Sequence, residues 1–280
     1  MTTAIQQEII QALGVKPQVN ARFEIGDRVR FLKDYIRASK AKGLVLGISG
    51  GQDSALAGKL AQMAVESLRQ EGYSASFLAL QLPFRTQRDA ADANLSVEWI
   101  NPDDFHQVNV EYGVKGVADE VRYGSGDSLN DYHLGNVKAR LRAVTQYAYA
   151  GQYNLLVVGT DHAAEAVTGF FTKFGDGAAD ILPLSGLTKR QGKEMLRELG
   201  APEQLYLKAP TADLLDGKPG QKDEDELGMT YDQIDDFLEG REVSEELSDT
   251  IVTRYRATEH KRRGPVSPVD DWWKVPVAHA

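Results

Sequence analysis

The segment Ser49-Gly50-Gly51-Gln52-Asp53-Ser54 carries the residue types from which a phosphate site is built. It follows an apolar run of strand length and precedes a helical pattern, so free backbone N–H groups and a helix dipole meet at one point and favour an anion. Gly50 and Gly51 let the backbone approach phosphate oxygens closely, while Ser49 and Ser54 add hydroxyl donors. Asp53 is a carboxylate that repels phosphate unless a divalent cation lies between them, so the loop calls for a nucleotide with Mg2+. No Gly-Lys-Ser/Thr closes it, which excludes a Walker A loop, and Gly47-Ile48-Ser49-Gly50-Gly51-Gln52 breaks the dinucleotide fingerprint.

The elements that must position this loop follow from hydrophobic periodicity. Ile5, Ile9, Ile10 and Leu13 predict an amphipathic helix over about residues 1–15, and Val29, Phe31, Leu32, Tyr35 and Ile36 a second helix. Gly43 to Ile48 reads as a strand covered on both faces. Leu56, Leu60, Met63, Ala64 and Leu68 then predict a helix that ends by Gly72, followed by a strand from Ser76 to Leu82. The pattern repeats with a helix from Arg88 to Ile100, a strand from Phe105 to Val110, a helix from Asn136 to Ala150 and a strand from Leu155 to Gly159. Such alternation predicts an α/β fold, a doubly wound parallel sheet with helices on both faces and right-handed crossovers. Ligands of such sheets gather at the carboxyl ends of the strands, which here feed Ser49 to Ser54, Pro83 to Gln87, and Thr160 to Glu165.

Residues 1–280 read as one domain with a short C-terminal tail over about 264–280. Within 213–228, the stretch Asp216 to Glu226 has no apolar residue and many turn formers, which predicts a mobile surface loop.

With 42% hydrophobic and 26% charged residues the composition is that of a globular protein. The absence of an 18-residue apolar run and of a basic, apolar leader points to a soluble cytoplasmic protein with no membrane partner. A net charge of -9 argues against a nucleic-acid partner. With no cysteine, disulfides, thiolate metal sites and cysteine nucleophiles are excluded. None of the 5 histidines stands at metal-ligand spacing from another, so no zinc site is expected.

The Ser-Gly-Gly-x-Asp-Ser loop resembles the signature of the ATP pyrophosphatase superfamily (the adenine nucleotide alpha hydrolase-like fold), whose members grip the β and γ phosphates of ATP and release them as pyrophosphate. Further segments resemble the ammonia-dependent NAD synthetases: Leu46-Gly47-Ile48 leading into the loop, Leu82-Pro83-Phe84-Arg85, Gly135-Asn136-Val137-Lys138-Ala139-Arg140, Gly159-Thr160-Asp161-His162-Ala163-Ala164-Glu165, Thr168 to Gly177, Ala209 to Leu214, and Glu259-His260-Lys261-Arg262. That resemblance implies a C–N ligase that amidates deamido-NAD with ammonia in the last step of NAD biosynthesis. The nicotinate carboxylate would attack the α-phosphorus of ATP, and ammonia would displace AMP from the adenylate.

The resemblance also implies roles residue by residue. Asp53 and Glu165 match the Mg2+ ligands, and Lys189 joins them in the catalytic set. Gly47 to Ser54 (Gly47, Ile48, Ser49, Gly50, Gly51, Gln52, Asp53 and Ser54) with Arg85, Thr160, Lys189 and Thr211 match ATP contacts. Tyr132, Arg140, Lys173, Asp180, His260 and Lys261 match the deamido-NAD site. Arg140 flanks a helix stripe read as Val137, Leu141, Val144 and Ala148, whereas Arg142 points elsewhere on that helix. The 213–228 loop matches a segment that closes over ATP, and the family is homodimeric. No glutaminase domain fits in 280 residues, so ammonia is expected from solution or a partner. The alternatives are a GMP synthetase or asparagine synthetase core, or a non-catalytic adenine-nucleotide binder on the same fold.

Overall fold

In the computed structural model, which describes residues 3–85, 90–208 and 221–274, the chain opens with two helices, α1 (Ala4–Ala12) and α2 (Ala21–Ser39). The side chains of Thr3 and Asn20 accept N-terminal amide protons of α1 and α2 respectively, and Lys40 ends α2 in the left-handed conformation. There follow β1 (Gly43–Gly47), α3 (Gln52–Gln70), β2 (Ser76–Gln81), α4 (Ala90–Ile100), β3 (Asp104–Gln107), α5 (Glu111–Ser125), α6 (Asp131–Tyr153) and β4 (Leu156–Val157).

The strands pair in the order β3-β2-β1-β4, all parallel. Alternate side chains feed opposite faces, as the pleat requires. Leu44, Leu46, Phe77 and Ala79 join one core with Leu32, Ile36, Leu60 and Leu68 of α2 and α3. Val45, Leu78 and Leu80 join a second core with Val114 of α5 and Ala150 of α6. The sheet is thus covered on both sides, which is the doubly wound arrangement read from the sequence. After β3 the chain returns to the far side of β1, so the strand order reverses between β1 and β4, where ligands of such sheets bind.

The structure corrects several expected boundaries. β4 has two paired residues rather than a strand from Leu155 to Gly159: Val158 N still donates to Val45 O of β1, but Val158 also bridges Ile181, and Gly159 N donates to Ile181 O. β3 ends at Gln107, and past it Val108 and Val110 donate singly to Gln81 and Pro83. α5 had no counterpart in the sequence reading; Val114 is its one buried residue. On α6 the buried face is Gly135, Lys138, Ala139, Ala143 and Ala150, whereas Val144 is 60% exposed. Of the expected stripe, Val137 and Leu141 pack on the second core while Val144 and Ala148 are exposed, and the residues buried most deeply are small or polar.

Short helices α7 (Ala163–Thr168), α8 (Lys189–Glu198), α9 (Gln204–Leu207) and α10 (Asp223–Leu227) precede α11 (Tyr231–Leu238), α12 (Glu245–Ala257) and α13 (Glu259–Arg262). Ile9 and Ile10 of α1 meet Val167, Ile234, Phe237 and Ile251 in a third core that fixes α7. No helix among the described residues is long and apolar enough to cross a membrane.

Candidate active site at the carboxyl ends of the strands

The turn between β1 and α3 is held by its own serines. Ser49 N donates to Ser54 Oγ at 3.2 Å, and the two hydroxyls lie 3.0 Å apart. Gly51 caps α3 without a side-chain bond to the helix, so the first amides of α3 are left to whatever enters the cleft above them. Gly50 has φ of 86°, and a Cβ there would lie 2.6 Å from Ala93 N on α4, so the turn admits glycine alone. Gln146 and Arg142 of α6 hold the neighbouring strand ends: Gly47 N donates to Gln146 Oε1 at 2.8 Å, and Arg142 Nε to Leu82 O at 3.0 Å.

Lys189 opens α8, whose start is closed by a Thr188/Gln191 capping box. Asp235 of α11 accepts from Lys189 N at 3.1 Å and Arg190 N at 2.7 Å, and Thr188 Oγ1 donates to Glu239 at 3.0 Å. So fixed, the buried Lys189 side chain passes over the Tyr231 ring and places Nζ 2.6 Å from Asp53 Oδ2. Gln52 Nε2 donates to Lys189 O at 2.8 Å and ties the loop to the same helix.

α7 supplies the third side of the site. Its N-cap His162 points Nε2 to within 3.7 Å of Asp53 Oδ1 and 3.6 Å of Glu165 Oε1. Burial works to raise the Asp53 carboxyl, but Lys189 and then His162 outweigh it and hold Asp53 below its ordinary value. At Glu165 burial and then the Asp53 and Asp161 charges outweigh the attraction of Lys189 and push the carboxyl well above the carboxylate range. The same causes, burial first and then Asp176 and Asp53, bring Asp161 up to about 7. Burial lowers His162 to about 4, leaving its imidazole neutral at ordinary pH. Such a cluster of carboxylates, with neighbouring Lys189, has the charge and oxygen donors of a divalent-cation site.

Asp53, Glu165 and Lys189 border a cavity of about 410 Å³, while Asp161 and His162 lie behind its wall. Of the residues read as ATP contacts, Gly47, Ile48, Ser49, Gly51, Gln52, Asp53, Ser54, Thr160 and Lys189 line it, while Gly50 packs behind against α4. Arg85 is not in its wall; in the left-handed conformation, it reaches Glu111 at 3.4 Å. Thr211, residues 213–220 of the expected 213–228 loop and residues 275–280 lie outside the described residues, and the rest of that loop carries α10 rather than forming an irregular surface segment. Of the residues read as dinucleotide contacts, Tyr132 and Lys261 line the cavity, Lys261 Nζ donating to Gly169 O and Phe171 O at 2.8 Å each. Arg140, Lys173 and His260 form a chain beyond the wall, in which Arg140 donates to Lys173 O at 3.3 Å and Lys173 Nζ to His260 O. Asp180 also lies outside the wall and accepts from Val157 N at 2.8 Å. The expected orientations on α6 are reversed, since Arg142 faces the cavity and Arg140 is exposed.

Several residues of this region had no assigned role in the sequence, four of them at its centre. His162 joins Asp53 and Glu165, Asp176 and Arg142 line the cavity, and Tyr231 covers Lys189. Asp176 and His162 lie within the segments that carry the resemblance, which was the one signal that could have found them.

A parallel α/β sheet with an uncapped anion loop at its switch point and carboxylates opposite defines a nucleotide-binding enzyme class. Within that class, the NAD synthase family model matches residues 24–265, and the chain belongs to the NAD synthase family. It is 58% identical over 271 residues to the NH(3)-dependent NAD(+) synthetase of Bacillus subtilis, covering 97% of this chain and 100% of that one. The crystal structure of NAD+ synthetase from Burkholderia pseudomallei superimposes with a TM-score of 0.81 at 46% identity, covering 92% of this chain and 96% of that one. The NMN synthetase from Francisella tularensis gives 0.79 at 36% identity, with 90% of this chain and 100% of that one covered.

Proposed function

We propose that this protein is an ATP-dependent ligase that converts deamido-NAD and ammonia to NAD, AMP and pyrophosphate. The observation that carries the proposal is the meeting of the α3 N-terminus, Asp53, Glu165 and Lys189 at one cavity. The end-to-end likeness to ammonia-dependent NAD synthetases supports deamido-NAD as the acceptor. In the first step a carboxylate oxygen of deamido-NAD bonds to the α-phosphorus, the α–β phosphoanhydride breaks, and pyrophosphate leaves. In the second, the nitrogen of ammonia attacks the acyl carbon, AMP departs, and nitrogen gives up a proton. The α3 amides and Lys189 would hold the phosphates, and positioning with charge neutralisation would carry most of the rate.

Asp53 and Glu165 would hold Mg2+, which supplies countercharge to the departing pyrophosphate. Asp53 and Glu165 each turn one carboxylate oxygen toward the same gap, so the donor set fits such an ion. Thr160 would contact ATP within the cavity, and Arg85 and Thr211 are proposed as further ATP contacts. Tyr132 and Lys261 would receive the nicotinate half of deamido-NAD, whose remainder would extend over Arg140, Lys173 and His260, with Asp180 fixing β4 beneath them.

We further propose that residues 1–280 act as one domain, that the protein is a cytoplasmic homodimer, and that the 213–228 loop closes over ATP. Supporting the dimer, Tyr112, Tyr123, Val144 and Tyr147 on α5 and α6 are exposed.

The test is incubation with ATP, Mg2+, ammonium and deamido-NAD, with products identified chromatographically. NAD, AMP and pyrophosphate in equal amounts are expected; ADP and phosphate, or no NAD, overturns the proposal. A parallel reaction with nicotinic acid mononucleotide as acceptor is expected to give little product; efficient turnover there would move the reading toward the NMN synthetase relative.

A further inference from the structure

His162 is 3% exposed, and neither ring nitrogen has a hydrogen-bond partner among the described residues. A buried imidazole ordinarily satisfies both nitrogens, because desolvation without a partner costs about 1–3 kcal/mol per group. The ring is held edge-on to Tyr231 at 6.3 Å between centroids, and its Nε2 faces the gap between Asp53 and Glu165. The nearest carboxylate oxygens stand at 3.6 and 3.7 Å, beyond hydrogen-bond range. One nitrogen and two carboxylate oxygens thus lie within 4.8 Å of one another. Metal bonds of about 2.0–2.2 Å set neighbouring ligand atoms roughly 3–4.4 Å apart, so these three atoms nearly frame one ion.

We propose that His162 Nε2 is a third protein ligand of this site, giving a donor set of two carboxylates and one imidazole that holds Mn2+ or Co2+ more directly than Mg2+. The proposal rests on the reading of Asp53 and Glu165 as ligands. Imidazole suits borderline cations and serves Mg2+ poorly, so Mg2+ would rely on the two carboxylates while Mn2+ engages all three. Asp53 Oδ2 remains with Lys189, and Oδ1 is the oxygen turned to His162. The carboxylates are each about a fifth exposed and His162 is not, so the open side of the site faces the cavity, where phosphate oxygens and water complete the coordination.

The experiment uses the full chain, freed of metal and without nucleotide. Mn2+ binding is followed by electron paramagnetic resonance, and bound Mn2+ is examined by electron spin echo modulation for a directly coupled 14N. The wild-type protein is expected to bind Mn2+ in a manner abolished by Asp53→Asn, and to show nitrogen modulation. His162→Gln is expected to lose the modulation and to weaken Mn2+ by roughly tenfold or more, with competing Mg2+ weakened less than about threefold. Asp53-dependent Mn2+ binding without nitrogen coupling overturns the His162 assignment alone. Unchanged Mn2+ affinity in a folded His162→Gln protein does the same. Absence of any Asp53-dependent binding overturns the metal site as a whole. The echo measurement needs only wild-type protein, so it decides the matter even if the variant fails to fold.

Discussion

Lys189 Nζ and Asp53 Oδ2, 136 positions apart in the chain, stand 2.6 Å from each other and join the first turn of α8 to the first turn of α3. The lysine anchors the carboxylate, and in the proposed reaction it would also serve as countercharge for phosphate. Lys189→Met removes the cation and keeps the apolar stem over Tyr231. AMP formation is expected to fall about 10²–10³-fold, the scale of losing one preorganised electrostatic contact. Coupled-assay kinetics check this, and a fall below threefold would show that Lys189 only braces Asp53.

The carboxylates make stability depend on pH when no cation is bound. Asp161, brought up to about 7 from 3.8, keeps its proton in the folded chain while the unfolded chain has released it. Its contribution is complete below pH 3.8 and is lost as pH rises through 7, and the raised Glu165 acts in the same direction. His162, lowered to about 4 from 6.5, acts oppositely but only below pH 6.5. Above that, the metal-free protein is expected to melt at falling temperature up to about pH 8. Asp161→Asn should flatten the decline, and millimolar Mg2+ should raise the midpoint more at pH 8 than at pH 5.5. Scanning calorimetry across that range is the measurement.

How much of the site could be read in the sequence depended on whether its cause was local. The Ser49 to Ser54 loop was legible because a strand, two glycines and a helix follow one another directly. The sheet's double winding was legible for the same reason. The place of Lys189 was not, since it depends on Asp235 and Glu239 capping α8 from another helix. His162 escaped because only Glu165 stands near it in sequence, three residues on, whereas Asp53 comes from the start of α3, more than a hundred positions earlier. Arg142 escaped because α6 buries Lys138 and Ala139, not its most apolar face. Propensity locates a helix; which side it turns to a strand end is decided by the groups that strand end leaves unbonded.

The cap on α8 gives a prediction about stability and positioning together. Asp235 accepts from the amides of Lys189 and Arg190, and Asp235→Ala leaves both without a partner at a buried helix start. A loss of about 1–2 kcal/mol is expected, the usual scale of an N-terminal cap. Denaturant unfolding measures it. Because the same residue holds the backbone of Lys189, ATP turnover should fall more steeply than stability alone explains.

Lys173 tests whether the chain outside the cavity wall binds the dinucleotide. Its ammonium bonds carbonyls of His260 and Gly264, and its own carbonyl receives Arg140. Lys173→Ala is expected to raise the KM for deamido-NAD about tenfold, near 1.4 kcal/mol, while leaving the KM for ATP within a factor of about two. Equal effects on both substrates would show a structural brace instead.

Gly50 isolates the loop from the rest of the site. Its φ of 86° is strained for any residue with a Cβ, and a Cβ there would meet the α4 backbone at 2.6 Å from Ala93 N and 2.8 Å from Asp92 C. Backbone cannot rotate aside as a side chain could, so Gly50→Ala must move either the turn or the start of α4. Strain of about 1–3 kcal/mol is expected to lower the melting temperature by several degrees. The more telling effect is on nucleotide: displacing the α3 amides removes phosphate donors that no other element replaces, so ATP affinity by calorimetry should drop at least about tenfold. At the proposed metal site, Mn2+ binding without nucleotide would depend on Asp53, Glu165 and His162 rather than on the Gly50 amides, and should change far less. A variant that loses metal and ATP together would instead place Asp53 under the control of the glycine turn.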